Sequence, residues 1–217
     1  MPLNLTDQFF ADLAAMGERL DTDPAIWLAV WTIESGLDPQ AFNHAPPTAQ
    51  GLNQFIPNTL KGIGAPANFV ELSGEEQLPW IEKFMALGII QNGGPYRTPG
   101  RYYWSNFYGD TMKRGNSPDS VVVSSTAESG QERAAYNANK VLDFDGNGVI
   151  TQGDLDTLIE KRAIPSPKYQ EALARLRAAQ LDAANSAGML MDLGPAIVGL
   201  IFAAGGAWMA NRFGWRF

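Results

Sequence analysis

The chain has 217 residues, 45% of them hydrophobic, which gives room for one catalytic domain of ordinary size plus an appendage and excludes a wholly disordered chain. Its 23 acidic and 16 basic residues leave a net charge of −7, so the broad positive field needed for sequence-independent nucleic-acid binding is missing, and no nucleic-acid partner is expected. Without cysteine there are no disulfides, thiolate zinc sites or cysteine nucleophiles, and the single histidine, His44, leaves carboxylate chemistry as the main resource. The opening segment MPLNLTDQFFADL carries an early Asp7 and no basic stretch ahead of an apolar core, so it does not read as a secretory signal.

Phe9, Phe10, Leu13, Ala14 and Met16 recur at helical spacing between Leu5 and about Leu20, with Thr6 as the N-cap. A second helix is expected after Asp23, with Pro24 at its first position and Gly36 ending it; Glu34 lies in its last turn. Residues 37–51 are rich in Pro, Asn and Gly, and no strand is expected here. Two short helices, QFIPNTLKGIG and GEEQLPWIEKFMALGII, follow, separated by Pro66 and Ser73. Residues 115–131 read as a linker in which only Val121 to Val123 suggest an extended stretch. Beyond it come a helix around QERAAYNANKVL, an acidic loop, a helix from Asp154 to Ala163, a Pro-flanked break and a polar helix. The apolar run LGPAIVGLIFAAGGAWMA, residues 193–210, closes the pattern. The fold class expected is mainly α.

Glu34 follows Ile26, Trp27, Val30, Trp31 and Ile33, which should hold its carboxyl against apolar surface. Burial disfavours ionisation, and a carboxyl group that stays protonated near neutral pH is what general-acid cleavage of a glycosidic bond requires. Ser35 and the amide-rich stretch after it are positioned to orient the acid. Taken alone, a glutamate at a helix end is more often structural than catalytic.

The context is more specific. AVWTIESGLDPQAFN followed by AQGLNQFIPNTLKGIG resembles the paired motifs of the soluble lytic transglycosylases, a family with a goose-type lysozyme-like domain, in which the catalytic Glu precedes Ser. Glu34, Ser35, Asp38, Pro39, Gly51, Leu52, Gln54, Phe55, Pro57 and Thr59 fall in matching order. RYYWSNFYGD is similar to an aromatic third motif of phage members, with Tyr103 as the substrate-side tyrosine. The chain departs from the pattern at Leu37 and Asp38, where an aromatic residue followed by Asn or Asp is frequent, and at Asn53, where Met is common. The resemblance implies a lysozyme-like domain over residues 1–114 with Glu34 as catalytic acid and base. It also implies substrate contacts by Ser35, Gln54 and Tyr103, and cleavage between N-acetylmuramic acid and N-acetylglucosamine with a 1,6-anhydro product.

A retaining glycosidase would need a second carboxylate about 5 Å from the first, and none is evident. Asp38 reads as a turn residue beside Pro39, and His44 as an exposed loop residue. Gln54 is open between a contact to substrate or acid and helix-start packing. Tyr96, Tyr102, Tyr103, Trp104, Phe107 and Tyr108 are candidates for a sugar groove, with about half of them expected in the core. AAYNAN, 134–139, looks like a transglycosylase motif but leads into the acidic loop, so Tyr136 and Asn137 are read as helix residues.

That loop, DFDGNGVITQGD, resembles an EF-hand calcium loop within a segment spanning 132–164. Asp143, Asp145 and Asn147 supply oxygens at alternate positions, Gly148 permits the turn, Val149 offers a carbonyl, and Asp154 closes the frame in place of the usual Glu. Structural calcium is expected there, with none needed for catalysis. A polar helix, 165–187, then leads to the apolar segment 188–217, which reads as a membrane span or as a helix buried in an assembly. Together these features imply a phage virion protein that acts on peptidoglycan glycan strands during genome entry, held to a membrane, virion or tail partner through its C-terminus. The rivals are a wall-remodelling enzyme of a secretion apparatus and a structural assembly protein with a degenerate sugar-binding domain.

Overall fold

The computed structural model describes residues 3–45 and 48–186, and the apolar run 193–210 with its expected membrane or assembly role lies outside them. The first helix, α1 (Asp7–Arg19), begins where the Thr6 hydroxyl accepts the Phe9 amide at 3.2 Å. It buries Phe9, Phe10, Leu13, Ala14 and Met16. The second, α2 (Ala25–Glu34), has no polar face over its first two turns, and every residue from Ala25 to Trp31 is buried. A helix that is apolar all round belongs inside a fold, where each large side chain removed from water contributes about 1.5–3 kcal/mol. The remaining elements are arranged around it.

Two short strands, β1 (Phe42–Asn43) and β2 (Ala49–Gln50), pair antiparallel after α2, where no strand was expected; two-residue strands leave no periodicity to read. Next come α3 (Pro57–Ile63) and α4 (Gly74–Asn92), the latter opened by a capping box between Ser73 and Glu76. The aromatic motif forms α5 (Pro99–Tyr108), capped by Thr98. Then follow β3 (Val121–Ser124), α6 (Gly130–Asn139), β4 (Val149–Thr151), α7 (Gln152–Arg162) and α8 (Pro167–Ser186). The described residues are thus mainly helical, and none of their helices is long and apolar enough to cross a membrane.

The stretch 115–131 does not act as a linker. Val122 and Val123 are fully buried, and β3 pairs antiparallel with β4, the short strand of the EF-hand-like loop. In two-loop EF-hand units that strand pairs with its counterpart; here β3 satisfies its backbone. Nor does a boundary fall at residue 114, because residues 1–179 form one compact unit. The most extensive helix packing joins α5 to α7, and at its tightest point the Gly100 amide donates to Asp156 Oδ1 at 2.7 Å. A Cβ at Gly100 would lie 2.8 Å from the Asp156 backbone nitrogen, so the approach requires glycine.

The helix expected to be merely polar, α8, is amphipathic and buries Tyr169, Ala172 and Leu176. Its cations reach back to the start of the chain: Arg175 pairs with Asp7 at 2.7 Å, and Arg177 with Asp23 at 2.9 Å. A chain ending at residue 114 is therefore expected to lose its cooperative thermal transition, since it would leave α5 without α7. One ending at residue 186 should keep it. Calorimetry of the two shortened chains compares these outcomes directly.

Candidate active site

Glu34 closes α2, and the chain must leave the helix sharply if the acid is to face outward. The turn is built from Gly36 and Leu37, both in the left-handed region at φ 63° and 60°. Leu37 is buried and its amide bonds the Trp31 carbonyl at 3.2 Å, so apolar burial holds a non-glycine residue in a conformation that costs about 1 kcal/mol or more. The Ser35 hydroxyl also donates to the Trp31 carbonyl, at 3.0 Å, rather than to the acid. From the far end of the unit, Lys168 Nζ donates to the Gly36 carbonyl at 2.8 Å. Asp38 accepts the Gln40 amide at 2.9 Å and is exposed, the turn role its sequence suggests.

The second motif is fastened to the first by a residue that motif reading missed. Gln77 of α4 is fully buried; its Nε2 donates to the Pro39 carbonyl at 2.6 Å while its Oε1 accepts the Leu52 amide at 3.0 Å. Gly51 adopts φ 77°, and a Cβ there would lie 2.5 Å from Phe69 and 2.7 Å from Gln77 Oε1, which explains glycine at this motif position. Gln54, at φ 49°, turns its amide nitrogen to the carbonyls of Ala41 at 3.2 Å and Gly51 at 3.0 Å. Its nitrogen braces the loop between the motifs and makes no bond to Glu34.

Beneath the acid lies a buried polar hub. Asn53 Oδ1 accepts from Trp31 Nε1 at 2.8 Å, from the Tyr102 hydroxyl and from Asn106 Nδ2 at 3.0 Å; Asn53 Nδ2 also approaches Asn106 Oδ1 at 3.0 Å. This joins α2, the second motif and α5 through one side chain. The only sequence signal for it was the polar residue at a position where the resemblance expects Met.

Glu34 keeps a partly accessible edge while its carboxyl is surrounded by protein. Desolvation pushes its pKa up from 4.5 to about 7, and the hydrogen bond from Tyr103 opposes part of that rise. No other carboxylate among the described residues contributes to the shift. The Tyr103 phenol is itself raised above its ordinary range by burial first, then by the charge and hydrogen bond of Glu34. Its ring stacks on Phe107, 6.5 Å between centroids. Of the six candidate groove aromatics, Tyr96, Tyr102 and Trp104 are core, while Tyr103, Phe107 and Tyr108 are only partly buried. His44 is exposed against the Phe42 ring.

The acidic loop lies apart from these groups. Asp143 and Asp145 both accept the Asn147 amide at 3.1 Å, Asp143 also takes the Gly148 amide at 2.9 Å, and Asn147 Oδ1 accepts the Val149 amide at 2.9 Å. The Tyr136 hydroxyl, on α6 as its sequence context suggests, donates to Asp143 at 2.7 Å. Asp154 instead forms a capping box with Thr151 at the start of α7 and reaches the Phe144 amide at 3.4 Å. Among the described residues, no group of three or more His, Cys, Asp or Glu side chains is gathered tightly enough to hold a metal ion. The side-chain oxygens of the loop accept its own backbone amides. A separate depression bounded by Ser124, Thr126, Glu128 and Glu132 contains none of the motif residues, and its cation Arg114 is paired with Glu132 at 2.7 Å.

The chain matches no family model, no curated protein and no solved structure.

A carboxyl whose pKa is higher in the folded than in the unfolded chain stabilises the fold fully below about pH 4.5 and loses that contribution as pH rises through about 7. Glu34→Gln removes the titration while keeping the volume. The variant is expected to gain stability relative to the native chain across that window, with the difference level above it. Denaturant melts at pH 4, 6 and 8 measure the trend, and a difference that does not vary with pH would contradict the desolvated setting of Glu34.

Proposed function

We propose that the protein is a peptidoglycan lytic transglycosylase that cleaves the bond between N-acetylmuramic acid and N-acetylglucosamine, with Glu34 as both acid and base. The observation that carries this reading is a desolvated, partly accessible carboxyl with a tyrosine hydroxyl beside it and no second carboxylate acting on it. The order of the Glu34–Ser35 and Gly51–Gln54 motifs and the buried Gln77 that joins their loops support the same reading.

Below about pH 7 Glu34 carries the proton that the leaving oxygen needs. As the C1–O4 bond of the muramoyl residue breaks, that proton moves to O4 and the carboxylate forms. Tyr103 donates to this carboxylate, which limits the cost of a buried charge. The carboxylate then takes the proton of the muramoyl C6 hydroxyl as O6 bonds to C1, closing the 1,6-anhydro ring. Glu34 ends protonated, no water is consumed, and no nucleophilic carboxylate is needed. Asn53, Trp31 and Tyr102 hold the floor beneath the acid and Gln54 the loop beside it.

In the same reading the enzyme belongs to a phage virion and opens the wall locally during genome entry. The 143–154 loop takes structural calcium through Asp143, Asp145, Asn147, the Val149 carbonyl and Asp154. The alternating oxygens and the Gly148 turn at φ 88° fit such an ion, while the capping role of Asp154 favours weak closure. Catalysis routes no step through that ion.

Four measurements test this reading. Glu34→Gln should abolish release of muropeptides from purified peptidoglycan. Tyr103→Phe should move the alkaline limb of the pH–rate profile above about 7, because the lost hydrogen bond is one that lowers the pKa of Glu34. Mass analysis should find anhydro ends; ends bearing an added water would make the enzyme a hydrolase. Millimolar calcium should raise the melting temperature of the native chain and not that of Asp145→Ala. An identical response of the two chains would remove the ion from the loop.

A further inference from the structure

The chain leaves α2 through two successive residues in the left-handed region, Gly36 at φ 63° and Leu37 at φ 60°. On one side of this turn three donors converge on the Trp31 carbonyl: the Ser35 amide at 3.0 Å, the Ser35 hydroxyl at 3.0 Å and the Leu37 amide at 3.2 Å. The Gly36 carbonyl is held from outside, by Lys168 Nζ of α8 at 2.8 Å. Glu34 stands two residues before that carbonyl, so a shift of the turn passes directly to the helix end that carries the acid.

Lys168 is poorly placed for α8 itself. It lies in the first turn of that helix, where the aligned peptide dipoles disfavour a cation, and no acidic residue of the turn offsets it. α2, by contrast, has no basic residue in its own last turn, where a cation is favoured, and Lys168 fills that place from another helix. Arg175 and Arg177, further along α8, pair instead with Asp7 and Asp23, away from the acid's turn. Tyr169 beside Lys168 and Ala172 one turn on are buried, which sets the height and rotation of α8 at this contact. Tyr102 and Tyr103 of α5 are the ionisable groups that respond to the charge of Glu34. The shift of Glu34 comes from burial and the Tyr103 hydrogen bond, with no cation among its causes, so Lys168 works on the turn and not as a charge beside the acid.

We infer that Lys168 is a positioning residue for Glu34, clamping the left-handed turn after α2 so that the acid stays against its apolar surroundings. The consequence for turnover rests on the transglycosylase reading, whereas the effect on the acid itself stands without it. Leu37 holds the left-handed region at a cost in strain that its burial offsets. Released from Lys168, the Gly36 peptide can rotate toward an unstrained conformation, which draws Leu37 outward and admits water to Glu34. The proton affinity of the acid then falls, since desolvation is what raises it. Lys168 lies outside both motifs, 132 positions from the carbonyl it holds.

The test compares the full-length native chain with three variants. Lys168→Met keeps the length of the stem and removes the donor, Lys168→Arg keeps a donor, and Arg175→Met loosens α8 at a contact away from the turn. The Glu34 carboxyl carbon is titrated by NMR, and turnover of purified glycan strands is followed across pH. In Lys168→Met the Glu34 midpoint should fall by about half a unit or more, and the alkaline limb of the rate profile should move down with it. Its kcat should drop about tenfold with KM within about twofold, because the groove is intact and the acid is misplaced. Lys168→Arg should recover most of both losses, and Arg175→Met should keep the native midpoint and kcat whatever its melting temperature. Lys168→Gln, shorter and neutral, takes the place of the methionine variant if that chain does not fold. A native Glu34 midpoint without the lysine, or the same displacement in Arg175→Met, overturns the clamp. If the native chain cleaves no glycan strand, the transglycosylase reading falls and the titration alone decides the role of Lys168.

Discussion

One amide oxygen, Asn53 Oδ1, sets the position of everything around the candidate acid. It receives Trp31 from α2 and Tyr102 from α5, both fully buried, and half-buried Asn106 one turn later. Either of the two buried donors would cost about 1–3 kcal/mol if left unpaired in the core. The hub therefore fixes the rotation of α2 and α5 relative to the second motif more tightly than apolar packing alone can, since apolar contacts are non-directional. Glu34 and Tyr103 each lie on a helix held this way, close to a hub residue in sequence, and their mutual hydrogen bond follows from it.

The same constraint explains why the helix beyond the acidic loop cannot be separated from the half that carries Glu34. The outer face of α5 is covered by α7, and Asp156 sits where the two helices touch, its carboxyl accepting the Gly100 amide. Burial pushes the Asp156 pKa from 3.8 up to about 6, with the Gly100 bond as the opposing influence. A partly desolvated acid at a helix start is tolerated because the amides of that first turn need an acceptor. The EF-hand-like loop then acts as a corner piece: β4 pairs with β3, and α7 leaves it aimed along α5.

Two settings of carboxylates in one chain illustrate how environment divides roles. Glu34 meets apolar walls and one hydroxyl, which raises its proton affinity. Asp143 lies in the open with backbone amides and the Tyr136 hydroxyl around it, and its pKa is lowered chiefly by that hydroxyl. The first arrangement suits proton transfer near neutrality; the second keeps a carboxylate anionic.

By itself the sequence determined the helical class, the Thr6 start of α1 and the buried character of α2, and it pointed to Glu34 as a candidate acid. Those features depend on residues close together along the chain: a cap three residues from its amide, apolar spacing along one helix, a glycine past its end. Tertiary structure alone decided that residues 115–131 are packed and that the unit runs to residue 179. It also decided that Gln77, Asn53 and Lys168 belong to the frame of the candidate site. Val121 to Val123 resembled a stretch inside a linker because their strand partner lies more than 20 residues away. Lys168 and Gly36 are 132 positions apart. Local pattern carries no record of such pairings, which exist only once the folded chain brings a donor and an acceptor to the same place.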